Sequence, residues 1–275
     1  MKKVLLAIAE NKLPESAFEF ISRLNEINPL LLTGIFLREI IYMPDPAFSY
    51  YGMVGGAAHN AEAEAIVQED IRRRTDWFEK ACQKKHIEYR VHNDTDDLIV
   101  EALVKETRFA DLLVVNAEAF YQLSELTEPE GYLKSILHLA ECPVLIVPQK
   151  FSFPENVVLA YDGSASSVYA IKQFSYILNE LCNKDVIVVH EAAANSEKIP
   201  DGALIEELAA RHFNTPNLLM FHKHMMRLAE WIKVKQSAML VTGSYSRSNF
   251  SEMFRKSFVS KIIRDHKMPV FIAHK

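Results

Sequence analysis

The chain closes twice in the same way. ADLLVVNA at 110–117 and SAMLVTGS at 237–244 each run through a helical stretch into a closing strand, CPVLIVP at 142–148 and MPVFIAH at 268–274. Pro143 and Pro269 stand 126 residues apart, and the same offset lays Val115 over Val241, Ala117 over Gly243 and Ile146 over Ile272 without a gap. The openings repeat too, as KKVLLAI at 2–8 and ENVVLAY at 155–161. A repeat of this length is far too long for a solenoid unit and is the size of a domain. One fold used twice is the expectation, as units 1–149 and 150–275. The boundary falls in PQKFSFPEN (148–156), where two prolines and polar residues interrupt the periodic pattern.

Within each unit, short continuous apolar runs alternate with helical periodicity. VLLAI (4–8), LLLTGIFL (30–37), IEYRVH (87–92), LLVVN (112–116) and PVLIVP (143–148) read as strands of the first unit. VVLAY (157–161), VIVVH (186–190), NLLMFHK (217–223), MLVT (239–242) and PVFIAH (269–274) read as those of the second. Uninterrupted apolar runs suit strands covered on both faces, as in a parallel sheet. Helices are expected at about 16–25, 59–86, 96–107 and 130–141, then at about 166–181, 201–212, 225–236 and 251–265. Strict alternation implies right-handed crossovers, so the fold class is α/β: two doubly wound five-stranded parallel-sheet domains in tandem, Rossmann-like.

Composition narrows the partners. At 275 residues, 49% of them hydrophobic, the chain has material for two sizeable cores. Its net charge of −5 supplies no basic field for nucleic-acid phosphates or an anionic membrane surface. The opening MKKVLLAIAENK breaks at Glu10 without a small-residue cleavage pattern, and reads as a strand rather than a secretory signal. No run approaches the ~20 apolar residues of a membrane span. Three cysteines, Cys82, Cys142 and Cys182, are odd in number and lack metal-type spacing, which points to buried thiols in a reducing, cytoplasmic setting.

In an open parallel sheet, ligands sit at the carboxyl ends of the central strands where the strand order reverses. At that place the residues resemble the universal stress protein family, whose nucleotide loop has the form G-x2-G-x9-G-[ST] and whose opening strand ends in an Asp. The spacing lands on Gly243, Ser246, Lys256 and Ser257 in the second unit, followed by Phe258, and Asp162 stands at the end of the opening strand. The resemblance spans nearly the whole chain as two copies. It implies a stress-linked regulatory or sensor protein rather than an enzyme, with an adenine nucleotide (ATP or AMP, with Mg²⁺ for ATP) held by Asp162, His190, Gly243, Ser246, Lys256, Ser257 and Phe258. Glycine in such a loop lets backbone N–H groups approach phosphate, and a terminal hydroxyl adds a donor. In the first unit the same spacing lands on Ala117, Phe120, Glu130 and Gly131, with Ala9 in place of the acid. A bulky aromatic and a carboxylate there oppose an anionic ligand, so this half is expected to bind no ATP.

Other signals have ordinary explanations. His222 and His224 have a metal-like spacing but no cysteine or acidic neighbours to complete a site. His190-Glu191 reads as the edge of the pocket rather than an acid–base pair. DGS at 162–164 resembles a phosphate-accepting receiver acid, yet the strand ends that would complete one carry His222-Lys223 and His274. The segment 38–60, with Phe48, Tyr50 and Tyr51, suits a surface loop, a lid or a contact patch. Three functional readings follow. One is a nucleotide-binding stress regulator, one an interaction protein with both sites degenerate, and one a slow nucleotide hydrolase whose base and Mg²⁺ ligands are not identifiable. The expected assembly is an internal pseudo-dimer of the two units with the fifth-strand edges blunted by pairing, within the chain or in a homodimer. A protein partner of unknown identity is left open.

Overall fold

The ten strands among the described residues form one sheet in the order β3-β2-β1-β4-β5-β10-β9-β6-β7-β8. They are β1 (Lys2–Ile8), β2 (Leu30–Phe36), β3 (Glu88–His92), β4 (Leu112–Asn116), β5 (Val144–Val147), β6 (Asn156–Ala160), β7 (Asp185–Ala192), β8 (Pro216–His222), β9 (Ala238–Gly243) and β10 (Val270–Ala273). The structure, a computed structural model, describes residues 1–9, 13–37, 65, 68–92, 99–117, 136–192, 198–214, 216–222, 237–243 and 268–273. The helices are α1 (Glu15–Ile27), α2 (68–84), α3 (Ile99–Thr107), α4 (Ala165–Ile177) and α5 (Gly202–His212), with a 3₁₀ turn at Asn179–Leu181 and a helical turn at 136–139. The aromatic segment 38–60 and the helices expected at 225–236 and 251–265 lie outside the described residues.

Read outward from the centre, both halves follow the same order, fifth, fourth, first, second and third strand. Every pairing is parallel except β5 with β10. Across that junction Leu145 faces Phe271, Val144 faces Ile272 and Ile146 faces Val270. Leu145 and Phe271 are also equivalent under the 126-residue repeat, so the local two-fold relating the halves runs through this one pair. The fifth-strand edges are thus paired within the chain.

The pairing corrects one part of the sequence alignment. Leu113 N–H donates to the Pro143 carbonyl and Leu240 N–H to that of Pro269, both at 3.0 Å. Leu113 therefore corresponds to Leu240, an offset of 127, although β5 and β10 keep 126. Side-chain direction agrees: Val114 and Val241 pack on one face of the sheet, and Leu113 and Leu240 on the other. A one-residue slip reverses a strand's faces, so the burial pattern fixes the register. The counterpart of Gly243 is Asn116, not Ala117, and the β4–β5 connection is one residue longer than β9–β10. The expected pairing of Ala9 with Asp162 is retained, since Val4 pairs with Leu112 as Val157 pairs with Met239.

Helices cover both faces. α1, α2, α4 and α5 place Phe20, Phe78, Phe174 and Ile205 in one apolar cluster, while α3 and the 136–139 turn place Leu103, Ile136 and Leu137 in the other. Both clusters take residues from each half of the chain. The boundary segment packs rather than dangles: Phe151 and Phe153 lie 5.6 and 5.2 Å, centroid to centroid, from Phe20 on α1. Lys2, at the start of β1, donates to the Ile177 carbonyl at 2.7 Å and pairs with Glu180, whose side chain is only 2% exposed. The three thiols are buried, and burial pushes each up to about 12, so they are inert packing groups, as expected for Cys142.

Candidate functional site at the carboxyl ends of β6, β7 and β9

Strand order reverses between β9 and β6, which places the second half's crevice at the end of β6. β6 leads into Tyr161-Asp162-Gly163-Ser164, a turn set by Gly163 at φ 84. A Cβ on Gly163 would meet the Pro200 ring at 2.8 Å, so both the dihedral and the space require glycine. Ser164 then caps α4, its hydroxyl accepting from Ser167 N at 3.1 Å.

Asp162 is exposed at this mouth, and its Oδ1 accepts from Ser164 N at 2.9 Å. Desolvation by the surrounding loop acts to raise its pKa, but hydrogen bonds from Ser164 and Ser167 outweigh it and hold the carboxyl below its ordinary value. It is a fixed anionic acceptor. Tyr161 is buried, and its hydroxyl donates to the Pro200 carbonyl at 2.9 Å. Burial first, then the Asp201 and Asp162 charges, push the phenol's pKa up and keep it neutral.

His190 is 6% exposed, with Nδ1 2.9 Å from the Tyr161 carbonyl. A carbonyl only accepts, so Nδ1 carries the proton, and Nε2 holds the lone pair when the ring is neutral. The ring holds the Asp162 turn against β7. It forms part of the wall of this turn.

Gly243 has an unexpected neighbour. A Cβ there would lie 2.5 Å from the Ser166 carbonyl carbon, 2.6 Å from its oxygen and 2.7 Å from Ser167 N. The missing side chain is required by the first turn of α4 against the end of β9, independently of any ligand. The first half solves the same contact differently, with Asn116 Nδ2 donating to Ser16 Oγ of α1 at 2.9 Å.

The structure thus brings together Asp162, His190 and Gly243 of the residues expected from sequence. Ser246, Lys256, Ser257 and Phe258, and Phe120, Glu130 and Gly131 of the first half, lie outside the described residues. A carboxylate acceptor at the mouth of β6 suits hydroxyl or amine donors, the chemistry of a nucleoside's sugar and base.

The first half carries a functional candidate that lies outside the nucleotide-loop motif. Arg74 of α2 is fully buried, with Nη1 donating to the carbonyls of Ile8 at 3.1 Å and Leu37 at 3.0 Å, and Nε 2.7 Å from Asp70 Oδ2. Ile71, Arg74, Phe78 and Cys82 share one buried helical stripe, so a charge in an apolar stripe was the available signal.

No protein-family model matches the chain, and no curated protein matches it in sequence. Among solved structures, a universal stress protein from Archaeoglobus fulgidus DSM 4304 superposes with a TM-score of 0.71 at 13% identity, over 98% of this chain and 96% of that one. The chain has the universal stress protein fold. An N-acetylneuraminic acid (sialic acid) synthetase from Leptospira borgpetersenii serovar Hardjo-bovis, in complex with citrate, reaches only 0.18 at 12% identity, a value that carries no common fold. Within the universal stress protein fold seen here, no group of three or more metal-ligating side chains occurs among the described residues. No helix among them is long and apolar enough to cross a membrane.

Proposed function

We propose that the chain is a cytoplasmic stress-response regulator of the universal stress protein type, built from tandem domains at 1–149 and 150–275 that pack as an internal pseudo-dimer. Its second domain binds an adenine nucleotide, ATP with Mg²⁺ or AMP, and binding alters contacts with a protein partner. The observation that carries this reading is the Asp162 carboxylate, ionised and anchored by Ser164 at the mouth of β6 beside the β6–β9 reversal. Gly243, Ser246, Lys256, Ser257 and Phe258 complete the site in this reading, with His190 in its wall.

The test is thermal unfolding of the full chain with ATP or AMP, with and without Mg²⁺. One site at a hundredfold excess over Kd stabilises by ~2.7 kcal/mol. Asp162→Ala should remove the shift while leaving a folded protein. No shift with any adenine nucleotide would overturn the proposal. A second reading, an interaction protein that binds no nucleotide, is favoured by one observation: packing against Ser166 accounts for Gly243 without a phosphate.

A further inference from the structure

The two halves satisfy the same backbone group in different ways. Register makes Ile8 the counterpart of Tyr161 and Phe36 the counterpart of His190. In the second half the Tyr161 carbonyl receives His190 Nδ1 from the neighbouring strand, and Asp162 beyond it faces solvent. In the first half Phe36 has no donor to give. The Ile8 carbonyl instead receives Leu37 N and a guanidinium N–H of Arg74, brought in from α2, which binds the Leu37 carbonyl as well. The planar fork is kept in register by Asp70 one turn earlier on the same helix.

We infer that Arg74 is an internal occupant of the first half's strand mouth: with Asp70 it holds the Ile8 and Leu37 carbonyls from within the chain, where the second half holds the equivalent Tyr161 carbonyl with buried His190 and leaves Asp162 beside it facing solvent, and this confines ligand binding to the second half. It is a positioning residue, since it touches strand carbonyls and no substrate. The inference rests on the proposed function only for where a ligand goes; the self-occupation stands on Arg74, Ile8, Leu37 and Asp70 alone. A fixed guanidinium that binds two carbonyls and a carboxylate is a small-molecule interaction made intramolecular. Removing its side chain should therefore create a site for a free guanidinium ion.

The experiment is thermal unfolding of full-length Arg74→Ala. Loss of this fully buried guanidinium, with its two carbonyl partners and its ion pair to partly exposed Asp70, should lower the melting temperature by roughly 5 °C or more. Millimolar guanidinium or methylguanidinium should restore it saturably, while tetramethylammonium should not, and neither should raise the wild type. Should the Ala variant not fold, Arg74→Lys keeps charge and volume but loses the fork. It should melt below wild type, with displaced ¹³C carbonyl resonances at Ile8 and Leu37. An Ala variant as stable as wild type, rescue equally given by tetramethylammonium, or a Lys variant with unmoved carbonyl resonances would overturn the inference. So would a nucleotide stoichiometry of two per wild-type chain. Absence of any nucleotide binding would instead count against the proposed function, leaving the guanidinium arm to decide this one.

Discussion

Gly243 at the end of β9 lies against the backbone of Ser166, close enough that a Cβ would stand 2.5 Å from its carbonyl carbon. Backbone cannot swing aside as a flexible side chain would. Gly243→Ala should therefore cost about 2 kcal/mol or more without any ligand, through displacement of α4 from β9. Urea unfolding of the ligand-free protein checks this, and an unchanged midpoint would return Gly243 to the ligand. A larger residue such as Val tests folding at this position before it tests nucleotide binding.

Much of the fold was legible because the strands are continuous apolar runs separated by helical periodicity. Two features were not. Aligning Val115 with Val241 by identity reverses the faces of β4, and only pairing with β5 and burial show that Val114 is the true partner. The extra residue lies in the β4–β5 connection, and an alignment by identity runs across it without a gap. At the site, Asp162 followed from its place after an apolar run. The reason for Gly243 did not, because Ser166 is remote in sequence and meets it only through the crossover. Among Arg72, Arg73 and Arg74 the buried member is separated only by helical phase with Ile71 and Phe78.

Asp162 gives a pH signature. Its folded pKa is held below the ordinary value, with an unfolded reference near ~3.9, so its contribution is fully present above that reference. It is lost as pH falls through the lower, folded value. The stability gap between wild type and Asp162→Asn should be constant near neutrality and shrink in acid below about pH 4. Chemical unfolding from pH 7 downward measures it. A gap that widens in acid would mean that the carboxylate is not stabilised by Ser164 and Ser167.

His190 can be tested with the first half's own solution. His190→Phe installs the residue found at the equivalent position, Phe36, but the second half has no counterpart of Arg74 among its described residues to reach the Tyr161 carbonyl. The carbonyl loses a buried donor, which should cost about 1–3 kcal/mol. Equal stability of the variant would show that the Nδ1 bond holds nothing.

Lys2 and Glu180 join the two halves, linking the start of β1 to the turn that follows α4. Glu180 is 2% and Lys2 15% exposed, and Lys2 also serves the Ile177 carbonyl that closes α4. Removing one partner leaves a desolvated charge, whereas removing both replaces the pair with apolar volume. Lys2→Met and Glu180→Leu should each destabilise more than the double variant does. The expected coupling is about 1–3 kcal/mol, within reach of a double-mutant cycle read by urea unfolding. Because Phe151 and Phe153 lock the connecting segment on Phe20 and both apolar clusters cross the β5–β10 junction, each single variant should still unfold in one transition. Two separated transitions would show that the halves are held by the Lys2 pair rather than by their shared core.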